Sequence, residues 1–185
     1  MRRTIYLSPE ILISFTVCLG NCFNEKINQN VLLSFGARVK PVARSIHAAS
    51  QRASQPFVAI DCGAIPKELA ASEFFGHTKG AFTGATDDKH GVLNSANGGT
   101  LFLDEVCNLP YEIQALLLRA LQERSYRPIG GKLELKTNVR IIAASNEHIG
   151  KAIETGRFRE DLYHASVNSP SLFPLSQNVG KIFCH

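Results

Sequence analysis

Four short and almost entirely apolar runs alternate with helical segments along the middle of the chain. The runs lie at residues 31–34, 57–60, 100–103 and 139–144, and helical periodicity lies between them at 42–49, 65–75 and after Pro110. Strands that are apolar throughout are typical of a parallel sheet covered by helices on both faces. The alternation therefore predicts an α/β fold. In the last helix, Ile113, Leu116, Leu117, Ala120 and Leu121 are expected on one buried side.

Composition excludes several classes of protein. The 185 residues carry 20 Lys+Arg against 16 Asp+Glu, a formal charge of +4 that is too mild to indicate nucleic-acid binding by itself. No apolar stretch reaches the roughly 20 residues that cross a bilayer, so no membrane span is expected. The five cysteines include no C-x-x-C pair, which argues against a zinc site or a disulfide framework. Reduced thiols in a cytoplasmic protein are the prediction.

The two ends of the chain differ from its middle. Residues 1–30 have two arginines directly after Met1 and contain the apolar run ILISFTVCLG, which is similar to the core of a signal peptide. Pro9 and Glu10 beside the run, and the lack of a small-residue cleavage site after it, favour a buried segment instead. Residues 166–185 contain two prolines and four serines without a period, and are expected to form a loop or a frayed tail.

The third apolar run ends in two adjacent carboxylates, Asp104 and Glu105. Ligands of parallel α/β sheets bind at the carboxyl ends of the strands. In nucleotide hydrolysis an aspartate in this place holds Mg²⁺, usually through water, and a neighbouring glutamate acts as a general base toward the attacking water. The alternative is that the pair opens a turn or caps the next helix. Asn146 ends the following strand, where its amide would contact a γ-phosphate or the attacking water.

Residues 76–85, GHTKGAFTGA, combine three glycines with an isolated Phe82. Glycine allows the tight reversals that such a loop requires. A loop that presents one aromatic ring and the Thr83 hydroxyl suits docking onto a partner protein. The alternative is a tight hairpin whose Phe82 is buried in the core.

The segment SEFFGHTKGAFTGA at 72–85 resembles the signature of bacterial enhancer-binding proteins, which are AAA+ ATPases that activate RNA polymerase carrying sigma-54. Other segments resemble the same family in the same order: GGTLFLDE at 98–105 (its Walker B segment), 109–131, VRIIAASN at 139–146 and GRFREDLY at 156–163. The resemblance implies a AAA+ P-loop-type fold over residues 31–165, a three-layer parallel sheet flanked by helices. Residues 1–30 and 166–185 are unmatched.

The resemblance also implies cofactors and residue roles. ATP and Mg²⁺ would be bound, with Asp104 holding the metal through water and Glu105 activating the attacking water. Asn146 would be the sensor of the γ-phosphate. Arg159 would be an arginine finger that reaches the nucleotide of a neighbouring subunit in a hexameric ring. The phosphate side of the site would be formed by Gly36 and Lys40.

The partner that the resemblance implies is sigma-54 RNA polymerase. ATP hydrolysis would be coupled to remodelling of that polymerase so that the promoter opens. The contacting loop would consist of Gly80, Ala81, Phe82, Thr83, Gly84 and Ala85. No DNA-binding domain and no lid subdomain are expected within this chain.

Three positions depart from the family's pattern. The phosphate loop is replaced by SFGARVKP at 34–41, in which Gly36 is the one glycine. Asp61 stands where the family has an asparagine that restrains the catalytic glutamate, and a carboxylate there would repel Glu105 at close range. Ala165 stands where a second arginine finger is usual. Two hypotheses stay open: an impaired ATP-dependent regulator of sigma-54 transcription, or a truncated, non-hydrolysing fragment that acts at most as a protein-binding module.

Overall fold

The computed structural model describes residues 31–34 and 39–167, with side chains placed for 39–165. The expectations for residues 1–30, for Gly36 and for the tail beyond Val167 lie outside the described residues. Within this part the elements alternate as the sequence predicts. The strands are β1 (Val31–Ser34), β2 (Phe57–Asp61), β3 (Thr100–Asp104), β4 (Ser125–Tyr126), β5 (Leu135–Lys136) and β6 (Arg140–Ser145). The helices are α1 (Val39–Ala48), α2 (Lys67–Phe75), α3 (Val92–Ser95), α4 (Tyr111–Glu123), α5 (Ile149–Glu154) and α6 (Glu160–Val167), with a 3₁₀ turn at Val106–Asn108.

Four of the strands form one parallel sheet in the order β1-β6-β3-β2. The register pairs Leu103 with Ala143 across β3 and β6, and Asp61 with Asp104 across β2 and β3. β3 and β6 occupy the centre and are buried on both faces, which explains why their sequences are apolar throughout. The predicted α/β parallel sheet flanked by helices is confirmed.

Apolar side chains pack on both faces of the sheet. The smaller cluster lies under α1 and joins Val39 and Ala43 to Phe102 and Ile142. The larger cluster joins the opposite face of the sheet to α2, α4, α5 and α6. His47 fastens α1 to the start of β3, because its Nδ1 lies 2.9 Å from the Thr100 hydroxyl in a buried hydrogen bond. These two layers hold the strand ends in fixed positions.

Two of the differences from the sequence prediction bear on the site. The first helix begins at Val39, before the predicted 42, and so includes Pro41 in its first turn. Proline is compatible with a helix start because its fixed φ is helical and its missing N–H lies in the turn where N–H groups have no helical partner.

The second difference concerns the buried side of α4. Leu116 is 47% exposed, whereas the polar Gln114 is fully buried. The buried arc is rotated toward Gln114 and Leu118 because Gln114 satisfies backbone groups inside the fold, which a pattern of apolar residues cannot reveal.

No helix in residues 39–167 is both long and apolar enough to cross a membrane.

Candidate functional site

Three of the predicted site residues meet at the carboxyl edge of the sheet. Asp104 is the last residue of β3, Glu105 follows it, and Asn146 follows β6. Asn146 Nδ2 donates a hydrogen bond of 2.9 Å to Glu105 Oε1. Two neighbouring parallel strands end at the same edge, so residues 41 positions apart come into direct contact. The expected proximity of the acidic pair to Asn146 is therefore present in the structure.

Glu105 has an unusual backbone conformation, and a second amide forms a hydrogen bond to its carboxylate. Its φ of 52° and ψ of 46° lie in the left-handed region, which non-glycine residues rarely adopt. Asn108 Nδ2 donates to Glu105 Oε2 at 2.8 Å, so each carboxylate oxygen accepts one amide hydrogen bond. Such a conformation persists when the surroundings over-determine it, and it places the carboxylate across the strand end.

Asp61 lies at the same edge, with Gly63 between it and Glu105. Asp61 Oδ1 accepts a 2.9 Å hydrogen bond from the Gly63 N–H, which consumes one of its oxygens locally. A Cβ on Gly63 would lie 2.4 Å from Glu105 Oε2 and 3.4 Å from Asp61 Oδ1, so both carboxylates flank this glycine. The predicted repulsion between Asp61 and Glu105 stays a prediction. A side chain larger than glycine at position 63 would displace Glu105.

The negative charge at this edge of the sheet affects the thiol of Cys62. Burial is the main cause that raises the pKa of the Cys62 thiol, and the negative charges of Asp61, Asp104 and Glu105 raise it further. Three carboxylates around one buried group form an acidic edge that suits a hard cation with oxygen ligands. In the described residues no three His, Cys, Asp or Glu side chains are grouped as a direct metal cage. Water-mediated binding of Mg²⁺ needs fewer direct protein ligands than such a cage, and carboxylate oxygens are the ligand type that this ion prefers.

The described residues include Lys40 and Pro41 from the phosphate side of the expected site, whereas Gly36 lies outside them. Lys40 is the second residue of α1 and its side chain is exposed. A helix start binds phosphate through its free N–H groups, and Pro41 removes one of these from the first turn of α1. The residues present here fit a phosphate group less well than the acidic edge fits a cation.

Arg159 immediately precedes α6, and its side chain contacts two other residues of its own chain. Its Nε and Nη2 donate to the Asp161 carboxylate at 2.9 and 2.5 Å, and its guanidinium lies 4.8 Å from the centre of the Tyr111 ring. These hydrogen bonds raise the pKa of Arg159 and lower that of Asp161. The described contacts of this side chain do not include the acidic pair. Arg159 is thus set at the surface beside α4 and α6, with a carboxylate as its partner.

A chain of hydrogen bonds joins the segment after β6 to Arg159. Glu147, next to Asn146, binds the Arg157 guanidinium through two contacts of 3.0 and 2.7 Å. The buried Gln114 amide then donates to the Arg157 carbonyl at 2.9 Å and accepts from the Arg159 N–H at 2.8 Å. Gln114 also donates to the Leu109 carbonyl at 2.8 Å. One buried glutamine therefore sets the backbone position from which Arg159 extends.

The loop at residues 80–85 is compact and projects its aromatic side chain. Gly80 N–H donates to the Ala85 carbonyl and Ala85 N–H donates to the Phe82 carbonyl, at 2.9 and 3.0 Å. Gly80 and Gly84 have φ values of 79° and 98°, which favour glycine at both bends. Phe82 is 41% exposed and Thr83 is exposed. Burial of Phe82 in the core, the alternative that the sequence left open, is not what the structure shows.

The base of this loop is held by two neighbouring segments. His77 exchanges two backbone hydrogen bonds with Lys89, at 3.0 and 2.9 Å. On the other side, the Thr78 N–H donates to the Ile129 carbonyl at 3.0 Å. A Cβ on Gly130 would lie 2.7 Å from the Ala81 Cβ, so the turn at 129–131 approaches the loop more closely than a side chain at position 130 would permit. The exposed Phe82 and Thr83 lie at the opposite end of the loop from these contacts.

The comparisons with known proteins agree with this geometry. Residues 25–169 match the family described as the Sigma-54 interaction domain. The chain belongs to the Sigma-54 interaction domain family. Three relatives illustrate the relation. The response regulator protein PilR of Pseudomonas aeruginosa is 51% identical over 70% of this chain and 29% of its own length. The transcriptional regulatory protein GlrR of Escherichia coli K12 is 46% identical over 77% and 33%, and SfnR of Pseudomonas putida is 51% identical over 76% and 39%.

Solved structures share the fold of this chain. A crystal structure of NtrX from Brucella abortus superposes with a TM-score of 0.76 at 33% identity, covering 88% of this chain and 36% of that one. NtrX in complex with ATP gives a TM-score of 0.74 at 32% identity, covering 89% and 35%. The P-loop NTPase domain of an E. coli sigma-54 activator, at 19% identity and a TM-score of 0.51, shares the fold. This chain spans about a third of the length of the curated relatives that it matches.

Sequence reasoning about this Sigma-54 interaction domain missed several residues of the site. Asn108 and Gln114 belong to this group, as do Gly63, Tyr111 and His77. Asn108 carried a usable signal, because it lies three residues after Glu105 and a short turn brings such residues together. Gln114 carried none, since a polar residue in an amphipathic helix is expected on the solvent side.

Proposed function

We propose that this Sigma-54 interaction domain docks onto sigma-54 RNA polymerase through the loop at 80–85 and that its docking depends on nucleotide at the acidic edge of the sheet. The observation that carries the proposal is the loop itself. Its base is held by backbone hydrogen bonds on two sides, and Phe82 and Thr83 project at its tip. An exposed aromatic ring on a rigid base is the usual anchor of a protein interface. The names of the relatives support sigma-54 as the partner.

ATP with Mg²⁺ is the nucleotide in this proposal. A bound Mg²⁺ would supply charge neutralisation of the phosphates. Asp104 would hold the Mg²⁺ ion through water. Glu105 would accept a proton from the attacking water once the amides of Asn108 and Asn146 release its carboxylate oxygens. Asn146 forms a hydrogen bond to Glu105 in this structure. It would therefore sense whether the Glu105 carboxylate is bound to the amides or released to accept the proton. NtrX, a structural neighbour, is known in complexes with ADP and with ATP.

A non-hydrolysing, protein-binding module is the second candidate, and two observations favour it. Both oxygens of Glu105 accept amide hydrogen bonds, from Asn108 and Asn146, which leaves the carboxylate poorly placed as a base. The phosphate side contains Lys40 as an exposed helix residue and Pro41 in the first turn of α1. Under this alternative Gly36 and Lys40 contribute little to phosphate binding, and the loop at 80–85 still docks.

Titration with a fluorescent ATP, with and without Mg²⁺, separates the two candidates. Saturation in the micromolar range that requires Mg²⁺ and is weakened by Asp104→Asn supports the nucleotide-dependent function. Release of phosphate that disappears in Glu105→Gln, but not in Glu112→Gln on the exposed surface of α4, would assign the base to Glu105. Flat titrations of the wild-type chain would leave the non-hydrolysing module as the function.

The sigma-54 contact has a separate test. Binding of the chain to purified sigma-54, measured by biolayer interferometry with a non-hydrolysable ATP analogue and Mg²⁺, should weaken about tenfold or more in Phe82→Ala, as for an anchor residue at an interface. The matched control is Leu69→Ala, since Leu69 has a similar exposure of 44% against 41% for Phe82. Equal effects of the two substitutions would refute the loop as the docking site.

The assembly and the limits of the domain belong to the same proposal. In a hexameric ring Arg159 would exchange Asp161 for the nucleotide of a neighbouring subunit. Sedimentation velocity with and without nucleotide measures this assembly, and a monomer under all conditions would contradict it. We also propose that the domain extends over residues 31–165 and that the protein is cytoplasmic. Helix α6 continues past residue 165 and ends at Val167.

A further inference from the structure

The exposed ring of Phe82 rests against one other ring of the same chain. The His77 and Phe82 ring centroids are 4.9 Å apart and their planes meet at 65°, an edge-to-face arrangement. Edge-to-face aromatic pairs within about 7 Å are attractive beyond the area they bury. Phe82 is therefore directed by a specific contact, even though it is 41% exposed.

His77 is itself fixed at both its backbone and its ring. Its backbone exchanges hydrogen bonds with Lys89, and its Nδ1 shares a hydrogen bond of 2.7 Å with the Ser72 hydroxyl. Ser72 is buried within α2. The imidazole thus connects the body of the domain to the tip of the loop at 80–85.

We propose that His77 is a positioning residue for docking: its ring, oriented by Ser72, holds Phe82 in the place from which the loop contacts its partner. This inference rests on the proposed function of the loop. The backbone alone cannot do the same, because the hydrogen bonds from Gly80 N–H to the Ala85 carbonyl and from Ala85 N–H to the Phe82 carbonyl fix the turn but not the side-chain torsions of Phe82. Ordering a side chain on binding has an entropic cost that a preformed contact reduces.

The ring contact can be tested without any partner. The proton signals of the His77 ring should be shifted by the ring current of Phe82, and Phe82→Leu should move them toward the positions of an exposed histidine. His90, which is exposed, is the internal reference, and its signals should not move. If Phe82→Leu leaves the His77 signals in place, the two rings do not form the contact in solution and the inference is overturned.

Two substitutions of His77 separate its ring from its hydrogen bond. His77→Phe keeps an aromatic ring against Phe82 and loses the bond to Ser72, whereas His77→Asn keeps a polar group near Ser72 and loses the ring. If the ring positions Phe82, sigma-54 binding should fall about 2- to 10-fold in His77→Asn and by less than about 2-fold in His77→Phe, given the usual strength of an aromatic pair. Equal losses in both variants would show a merely structural role. His90→Ala is the control and should bind as the wild type does.

Failure of this inference is distinguishable from failure of the proposed function. Loss of binding in Phe82→Ala, together with full binding in His77→Asn, would retain the docking loop and overturn the role of His77. No effect of Phe82→Ala would overturn the docking loop, and the histidine ring signals would still decide whether His77 holds Phe82. Far-ultraviolet circular dichroism of each variant verifies that the comparison is made between folded proteins.

Discussion

Replacing Gln114 by methionine tests the buried hydrogen-bond centre that positions Arg159. Methionine has nearly the same length and shape, so the change removes polar contacts while it leaves little empty volume. Gln114 is fully buried and makes three hydrogen bonds, to the carbonyls of Leu109 and Arg157 and from the N–H of Arg159. After the substitution all three backbone groups lose their partner.

The expected cost follows from these contacts. A typical hydrogen bond contributes about 1 kcal/mol net, and a buried group left without a partner costs about 1–3 kcal/mol. The bond to Leu109 is buried, while the other two are partly buried and can regain water. We therefore expect Gln114→Met to lower the free energy of unfolding by about 2–4 kcal/mol. That is a large part of the roughly 5–15 kcal/mol that stabilises an ordinary domain.

Urea unfolding followed by far-ultraviolet circular dichroism measures the effect. Gln122→Met is the matched control, because it makes the same chemical change on the exposed surface of the same helix. Surface substitutions of this kind usually stay within about 0.5 kcal/mol of the wild type. If Gln114→Met differs from Gln122→Met by less than about 0.5 kcal/mol, the three hydrogen bonds do not stabilise the fold and the reasoning is refuted.

Three further substitutions or measurements address other parts of the fold. Gly99→Ala should destabilise the domain by more than about 2 kcal/mol, since the added Cβ would lie 2.0 Å from the Pro56 carbonyl oxygen, which is backbone and cannot move aside; urea unfolding at the wild-type midpoint would contradict this. Arg52→Ala should lower the free energy of unfolding by about 1–3 kcal/mol, because the guanidinium donates to the Gly99 carbonyl and to both the carbonyl and the side chain of Asn138. If an Arg52→Lys variant unfolds at the same urea concentration as the wild type, the positive charge alone is sufficient. Burial raises the pKa of the Cys62 thiol, so at pH 8 iodoacetamide should label Cys62 slowly in the native chain and rapidly in urea; equal rates by mass spectrometry would refute the burial. Because the folded pKa of Cys62 is above the unfolded value of about 8.5, its contribution to stability is complete below that pH and declines as the pH rises above it, a decline that Cys62→Ala should reduce.

Much of the fold was predictable because its signals are local. The four runs at the sheet centre and edges are apolar throughout, and strands with both faces covered must be so. The position of Asp104 and Glu105 at the carboxyl edge was predictable as well, since a charge directly after a buried strand is placed at the sheet edge. The exposure of Phe82 was expected from its resemblance and its flanking glycines, whereas general statistics for an isolated phenylalanine favoured burial.

The remaining parts of the site depend on contacts between distant segments. Asn146 reaches Glu105 across 41 positions, and Gln114 reaches Arg157 across 43. No local pattern encodes which oxygen a side-chain amide will meet, because that depends on how strands and helices pack. For the same reason Lys40, a plausible phosphate ligand by its position in the sequence, is an exposed residue of α1.

The sequence by itself determined the class of the fold, the acidic edge and the loop at 80–85, because each follows from the order of residue types along a short segment. Tertiary structure decided what those segments do to one another. It brought Asn146 to Glu105, and it brought the buried Gln114 to the backbone of Arg157 and Arg159. These are interactions between groups more than 40 positions apart that come within hydrogen-bond distance by packing, and packing is a property of the whole chain rather than of any segment.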